Sequence, residues 1–129
     1  MSAQPAPRPS LKPIRLLIVD DSVSVRTMLT RQFANDLEIE VVGTARDGIE
    51  GVNMVRDLKP DVITLDVEMP RQDGLRTIEE IMRDYPTPVV MVSSLTAAGT
   101  ATTIRALELG AFDFVQKPIR AGLPAMNEI

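Results

Sequence analysis

The stretch ITLDVEMPRQDGL, residues 63–75, joins an apolar run to a carboxylate, a loop and the start of a helical pattern. The apolar run stops at Asp66, and an acidic loop that contains Pro70 and closes on Gly74 follows it. Short runs of this kind, rich in Val, Ile and Leu, are typical of strands buried on both faces of a parallel sheet. We therefore predict a core strand over residues 61–65 that ends at Asp66.

Four other runs resemble this one in length and composition. Residues 15–19 (RLLIV) and 88–92 (PVVMV) are almost continuously apolar, which predicts two further strands covered on both faces. Residues 38–43 (EIEVVG) and 111–116 (AFDFVQ) alternate more between polar and apolar side chains. This alternation indicates strands that lie nearer an edge of the sheet or on a wetter face.

Four helices are predicted between these strands, because apolar side chains recur there with helical spacing. Ser22 and Asp73 are candidate N-caps, and Asp47 also reads as a cap. Pro60 ends the second helix and Gly110 closes the fourth, which we predict over residues 96–109. The predicted core-facing residues of the first three helices are Val25, Met28, Leu29 and Phe33; Ile49, Val52, Val55 and Leu58; and Leu75, Ile78, Ile81 and Met82.

Strands that alternate with helices predict an α/β fold with one parallel sheet and right-handed crossovers. We expect a flavodoxin-like, doubly wound, five-stranded sheet of order 2-1-3-4-5. A fifth helix with Leu123, Met126 and Ile129 on one side would be short or truncated. Residues 1–13 are rich in proline and read as a flexible tail, which leaves residues 14–129 as one domain.

Composition excludes several classes of protein. The net charge of -4 argues against a nucleic-acid-binding surface. The absence of Cys and His excludes disulfides, zinc-thiolate sites, cysteine nucleophiles and a Ser-His-Asp triad made from this chain. No apolar run reaches the roughly 18 residues of a membrane span, so we expect no membrane insertion and a cytoplasmic location. Aromatic residues are only 3%, so the core must be built from Val, Ile, Leu, Met and Ala.

Three carboxylates are expected to meet at one edge of the predicted sheet. Ligands of doubly wound sheets bind beyond the carboxyl ends of the strands, where the strand order reverses. In the predicted order that point lies between the first strand, which ends at Asp20 and Asp21, and the third, which ends at Asp66. Carboxylates this close repel one another, and a divalent cation with oxygen ligands, Mg²⁺ above all, would relieve the repulsion.

Two further strands end at the same edge. The fourth runs into Ser93 and Ser94, which offer hydroxyls, and the fifth runs into Lys117. We favour Ser93 because it directly follows the last apolar strand residue. A metal ion, an ammonium and a hydroxyl around one carboxylate suit a phosphoryl group, with Asp66 as the nucleophile that forms an aspartyl-phosphate.

The segments LIVDDS, LDVEMPRQDGL, VVMVSS and GAFDFVQKP occur in the order found in receiver domains of two-component response regulators, and residues 14–119 resemble that family. The resemblance implies that Asp20, Asp21 and Asp66 hold Mg²⁺ or Mn²⁺, with the backbone carbonyl of Val67 as a further ligand. It also implies that Asp66 accepts its phosphoryl group from a histidine kinase.

The same resemblance implies roles on the last two strands. Lys117 would contact the phosphoryl group, and Ser93 would be the switch hydroxyl. Phe114 matches the switch aromatic, although it can equally be read as a plain packing residue. Glu68 stands where many receivers carry Asn or Met, and it is a possible modulator that pairs with a basic group, reaches the metal through water, or faces solvent.

The segment VVMVSSLT followed by TIRALELGAFDFVQKP is similar to the receiver of chemotaxis protein-glutamate methylesterases. This narrower resemblance implies a chemotaxis histidine kinase as phosphodonor and the protein's own C-terminal methylesterase domain, absent from this chain, as the regulated partner. Chemoreceptors, whose glutamyl esters and glutamines such proteins demethylate and deamidate, would be reached indirectly. The chain alone would then be regulatory, and its parent a carboxylic ester hydrolase.

Other functions fit parts of the pattern. A stand-alone receiver that signals by binding another protein, or a receiver joined to a different output domain, would carry the same acceptor site. A phosphatase with an aspartate nucleophile is suggested by the DVE sequence, but that class places its acidic pair after the first strand. A pseudo-receiver that binds partners without phosphorylation would not need all of the acceptor-site residues.

Overall fold

The structure, a computed structural model, describes residues 12–67, 73–93 and 101–116. Strands and helices alternate along these ranges: β1 Ile14–Val19, α1 Val23–Phe33, β2 Ile39–Ala45, α2 Gly48–Leu58, β3 Val62–Leu65, α3 Gly74–Asp84, β4 Val89–Ser93, α4 Ala101–Leu109 and β5 Asp113–Gln116. The predicted fifth helix and residues 1–11 of the predicted tail lie outside the described residues. Within those residues, no helix combines the length and apolar character needed to cross a membrane.

The five strands form one parallel sheet of order β2-β1-β3-β4-β5. This order confirms the predicted fold class, including the reversal of strand order between β1 and β3. In that central pair, Leu16 is aligned with Val62 and Val19 with Leu65. The two alternating runs form β2 and β5, and both strands lie at edges of the sheet, as predicted.

Successive residues of β1 point to opposite faces of the sheet and belong to two separate cores. Leu17 and Val19 are buried in a large cluster that also takes in side chains of α2, α3 and α4. Leu16 and Ile18 face the other way and pack on Leu29 of α1. Within the described ranges, the buried hydrophobic residues are all Val, Ile, Leu, Met or Ala, as predicted for the core.

The first three helices begin at the predicted caps. The side chains of Ser22, Asp47 and Asp73 accept hydrogen bonds from the backbone amides three residues on, at 3.3, 2.8 and 2.9 Å. Each of these caps satisfies an amide that has no partner inside its helix and contributes about 1 kcal/mol to stability. Because α1 and α2 begin within four residues of the ends of β1 and β2, their caps also set where the chain leaves the carboxyl edge of the sheet.

One predicted core residue is not in the core. Ile49 is 43% exposed, whereas Gly48, Gly51, Val52 and Val55 are buried. A Cβ built on Gly51 would lie 3.1 Å from the Val19 side chain, so α2 approaches β1 along its glycine side. This close approach rotates the helix and turns Ile49 toward solvent, which the spacing of apolar residues alone did not predict.

Several predicted boundaries also shift. Strand β2 extends to Ala45, two residues beyond the prediction, and β5 starts at Asp113 instead of at residue 111. Ser93 is the last residue of β4 and not the first residue after it. The described part of α4 begins at Ala101, since residues 94–100 fall outside the described ranges, and Gly110 follows the helix with φ of 121° as predicted for a C-terminal glycine.

Candidate functional site

The ends of β1 and β3 lie side by side at the carboxyl edge of the sheet. The amide of Asp20 donates to the carbonyl of Ala45 on β2, and the amide of Asp66 donates to the carbonyl of Val19 on β1, both at 2.9 Å. These bonds carry the parallel ladder one residue past the ends of β1 and β3. Asp20 and Asp66 are therefore held by backbone pairing, and their side chains leave from fixed positions.

The three predicted carboxylates come together. One carboxylate oxygen from each of Asp20, Asp21 and Asp66 lies within 4.8 Å of the other two. Asp20 and Asp66 are only 1% and 2% exposed, whereas Asp21 lies on the surface. The arrangement is a narrow acidic crevice, with two buried carboxylates at its base and one at its mouth.

The negative charges of these three carboxylates repel one another. Two unit charges about 4.8 Å apart repel by roughly 3–4 kcal/mol at an effective dielectric constant near 20. Burial adds to this cost, because Asp20 and Asp66 have lost most of their contact with water. A cation bound between the carboxylates would convert the mutual repulsion into attraction.

The spacing of the oxygens suits a small divalent ion. Oxygen ligands on opposite sides of Mg²⁺ lie about 4.2 Å apart, so oxygens within 4.8 Å of one another can reach one ion with a small side-chain adjustment. The donor set is entirely oxygen, which favours Mg²⁺ or Mn²⁺ over softer metals. The residues present therefore fit the metal ion that the sequence predicts.

Asp20 makes two further hydrogen bonds besides the one that its amide donates. The amide of Ser22 donates to Asp20 Oδ1 at 2.9 Å, and the guanidinium of Arg26 on α1 donates from Nη1 to the Asp20 carbonyl oxygen at 2.6 Å. The first bond fixes the rotation of the carboxylate. The sequence alone gives no sign of this role for Arg26, because the position of a polar residue one turn after a helix cap does not show where its long side chain reaches.

Gly74, at the start of α3, lies directly against the end of β3. Its amide donates to the carbonyl oxygen of Val67 at 2.8 Å. A Cβ at this position would be 2.4 Å from the Cα of Val67, a distance that real Cβ atoms essentially never show. The Val67 carbonyl already accepts this bond, so ligation of a metal ion would use its second lone pair.

The structure describes some of the other candidate residues and not others. Ser93 ends β4, and its partner in the register is Gln116, the residue before Lys117 in the sequence. Phe114 on β5 is partly buried and packs against the large core, a contact compatible with either of the two roles considered for it. Glu68, Ser94 and Lys117 lie outside the part of the chain that the structure describes.

Comparison with known families gives one match that covers most of the chain. The response regulator receiver domain model matches residues 16–123. This range includes Asp20, Asp21 and Asp66 as well as all five strands except the first two residues of β1.

Similarity to individual proteins supports the same family. The chain is 60% identical over 107 residues to a protein-glutamate methylesterase/protein-glutamine glutaminase of Symbiobacterium thermophilum, a match that spans 83% of this chain and 30% of that protein. The crystal structure of the response regulator domain of Thermotoga maritima CheB is similar with a TM-score of 0.85 and 44% identity, covering 91% of this chain and 87% of that one.

A second solved structure was determined with ligands. The CheX-CheY-BeF3-Mg²⁺ complex of Borrelia burgdorferi contains a chain that is 35% identical, with a TM-score of 0.74, and the match covers 84% of this chain and 81% of that chain. The matches thus span 87% and 81% of these two solved chains but only 30% of the Symbiobacterium relative.

Proposed function

Because this chain belongs to the response regulator receiver domain family, we propose that it is a phosphoryl-accepting switch whose acceptor is Asp66. The observation that carries the proposal is the convergence of Asp20, Asp21 and Asp66 within 4.8 Å at the strand-order reversal. An acceptor carboxylate needs a nearby divalent ion to approach an anionic phosphoryl group, and here the two other acids of the cluster are positioned to hold one. Phosphorylation by a small donor such as acetyl phosphate tests this directly.

In the proposed reaction, an Asp66 carboxylate oxygen forms a bond to phosphorus as the bond from phosphorus to a histidine nitrogen of the kinase breaks. The imidazole keeps the bonding electron pair and takes up a proton. Asp66 is suited to this attack because its amide is hydrogen-bonded to the Val19 carbonyl and its side chain is buried, which limits the orientations that it can adopt. When bound, Mg²⁺ would neutralise charge on the phosphoryl oxygens.

The other predicted site residues would hold the metal ion or respond to the phosphoryl group. Asp20, Asp21, Asp66 and the Val67 carbonyl would hold the ion. Lys117 would pair with a phosphoryl oxygen. The Ser93 hydroxyl would turn toward another, and Phe114, partly buried on β5, would follow that turn. Glu68 follows Val67 in the sequence, and we propose it as a modulator of the site.

Mg²⁺ is expected to raise the thermal stability of the chain. Only the folded state brings the three carboxylates together, so ion binding stabilises it by about 2.7 kcal/mol at one hundred times the dissociation constant. For a domain of this size, the midpoint temperature should then rise by about 5 °C or more. Differential scanning calorimetry with and without millimolar MgCl₂, at ionic strength matched with NaCl, measures the change. An equal midpoint in the two buffers would count against the metal site.

The output of the switch is proposed to be a protein-glutamate methylesterase. The support is the 60% identity to a relative of that name, in which the matching segment is about 30% of the length. A chemotaxis histidine kinase would be the phosphodonor and chemoreceptors the indirect target. Exposed apolar residues on and just after α4, namely Ile104, Leu107 and Phe112, are our proposed contact with the esterase domain, since α4 precedes β5 in the chain and β5 carries the proposed switch residue Phe114.

A chimera would test the proposed output. Replacing the matching segment of the Symbiobacterium relative with this chain should give a methylesterase whose release of methanol from methylated receptors increases when acetyl phosphate and Mg²⁺ are added. The same chimera with Asp66→Asn should stay at its basal rate. An esterase rate that ignores acetyl phosphate in both chimeras would argue for a different output domain or a stand-alone receiver.

A further inference from the structure

The side chain of Arg26 contacts the Asp20–Asp21 turn from another element of the fold. Its Nη1 lies 2.6 Å from the carbonyl oxygen of Asp20, shorter than the usual 2.7–2.9 Å of a charge-assisted hydrogen bond from a guanidinium. The residue lies on α1, partly buried, six positions after the carbonyl it contacts.

The contacted oxygen belongs to the peptide bond that joins Asp20 to Asp21. A peptide unit is planar, so fixing its carbonyl oxygen also fixes the direction of its N–H and of the next Cα. Asp20 has further restraints, from its own amide and from the Ser22 amide on its carboxylate. Asp21 is exposed at the mouth of the crevice, and the orientation of its backbone depends strongly on this peptide plane.

We propose that Arg26 is a positioning residue for the acidic cluster: it anchors the Asp20–Asp21 peptide so that both carboxylates face Asp66 and bind a divalent cation together. This inference rests on the proposed function of the cluster as a Mg²⁺ site. Residues that orient metal ligands through hydrogen bonds typically contribute 10- to 100-fold to metal affinity, and we assign Arg26 to that role.

Whether loss of the Arg26 side chain weakens or strengthens Mg²⁺ binding separates the positioning role from a purely electrostatic one. Arg26 carries a positive charge close to a site that is proposed to bind a cation, so loss of the charge alone would strengthen Mg²⁺ binding. Loss of the anchor instead frees the Asp20–Asp21 peptide and weakens binding. A purely structural role would change stability and leave the Mg²⁺ affinity of the folded protein as it is.

Isothermal titration calorimetry of the full 129-residue chain with MgCl₂ tests the proposal. Arg26→Met should bind Mg²⁺ about tenfold more weakly than the wild type. Arg26→Lys, which keeps the charge and one donor but loses the planar fork, should fall between the two. Arg31→Met is the matched control, because it removes the same side chain from the exposed side of the same helix, and its affinity should equal that of the wild type.

Unchanged or tighter Mg²⁺ binding by Arg26→Met would overturn the inference. If that variant does not fold, Arg26→Lys decides: wild-type affinity in the Lys variant would overturn the inference, and weaker binding would support it. A wild-type chain that binds no Mg²⁺ would instead remove the proposed function itself, so the two failures are distinguishable.

Discussion

Asp66→Asn is expected to abolish phosphorylation of this chain by acetyl phosphate. The carboxamide has nearly the shape of the carboxylate, so the buried position at the end of β3 can still be filled. It lacks the anionic oxygen that attacks phosphorus. Intact-mass spectrometry after incubation with acetyl phosphate and Mg²⁺ should show one added phosphoryl group on the wild type and none on the variant.

Asp84→Asn is a suitable control for this experiment. Asp84 lies at the end of α3, exposed, and the hydrogen bond from Arg83 lowers the pKa of its carboxyl group, so it is charged under the assay conditions. Asp84→Asn therefore also replaces one charged carboxylate with an amide, but far from the crevice, and it should be phosphorylated like the wild type. A phosphoryl group that still appears on Asp66→Asn would move the acceptor to another residue.

Gly74→Ala is expected to destabilise the chain more than Gly43→Ala does. The new Cβ would lie 2.4 Å from the Val67 Cα and 2.9 Å from the carbonyl oxygens of Asp66 and Val67. All three atoms are backbone, so the start of α3 must move away from the end of β3. We expect a loss of about 3 kcal/mol in the free energy of unfolding, measured by urea denaturation, at the upper end of the usual cost of overpacking.

Gly43→Ala provides the comparison for this variant. A Cβ at Gly43 would lie 3.0 Å from Cδ1 of Leu58, which is the tip of a flexible side chain and can shift. The expected loss is below about 1 kcal/mol. Equal losses at the two positions would show that contact with backbone atoms at the end of β3 is not what makes Gly74 necessary.

Gly74→Ala should also weaken Mg²⁺ binding, since the displaced segment carries Asp66 and the Val67 carbonyl. This places a glycine of the loop-to-helix turn among the residues that shape the proposed acceptor site, although it contributes no side chain. Its sequence position, directly after the Asp73 cap, predicted the turn but not the contact with the preceding strand.

The fold was predictable because its strongest signals are local. Short apolar runs, the first three of which precede capped helices, determine the order of elements, and βαβ handedness then leaves few arrangements of the sheet. The meeting of Asp20, Asp21 and Asp66 followed from the same reasoning, since adjacent parallel strands must end at one edge. Chemistry at strand ends is therefore readable from sequence when the strand order is known.

Other features depend on how the helices and strands pack against one another. The exposure of Ile49 follows from the rotation of α2 about its close contact at Gly51, and helical periodicity does not report that rotation. The reach of Arg26 to the Asp20 carbonyl depends on a side-chain conformation with many alternatives. Such contacts become visible only once the distances between elements are fixed.

We propose that the ends of β1 and β3 form one Mg²⁺-dependent acceptor site with Asp66 as its nucleophile. A crystal structure of this chain grown with Mg²⁺ and beryllofluoride, a mimic of the phosphoryl group, tests this site. We expect beryllofluoride bonded to an Asp66 carboxylate oxygen and the ion held by Asp20, Asp21 and Asp66. Beryllofluoride on another residue, or an ion that does not contact Asp20 and Asp21, would overturn the assignment.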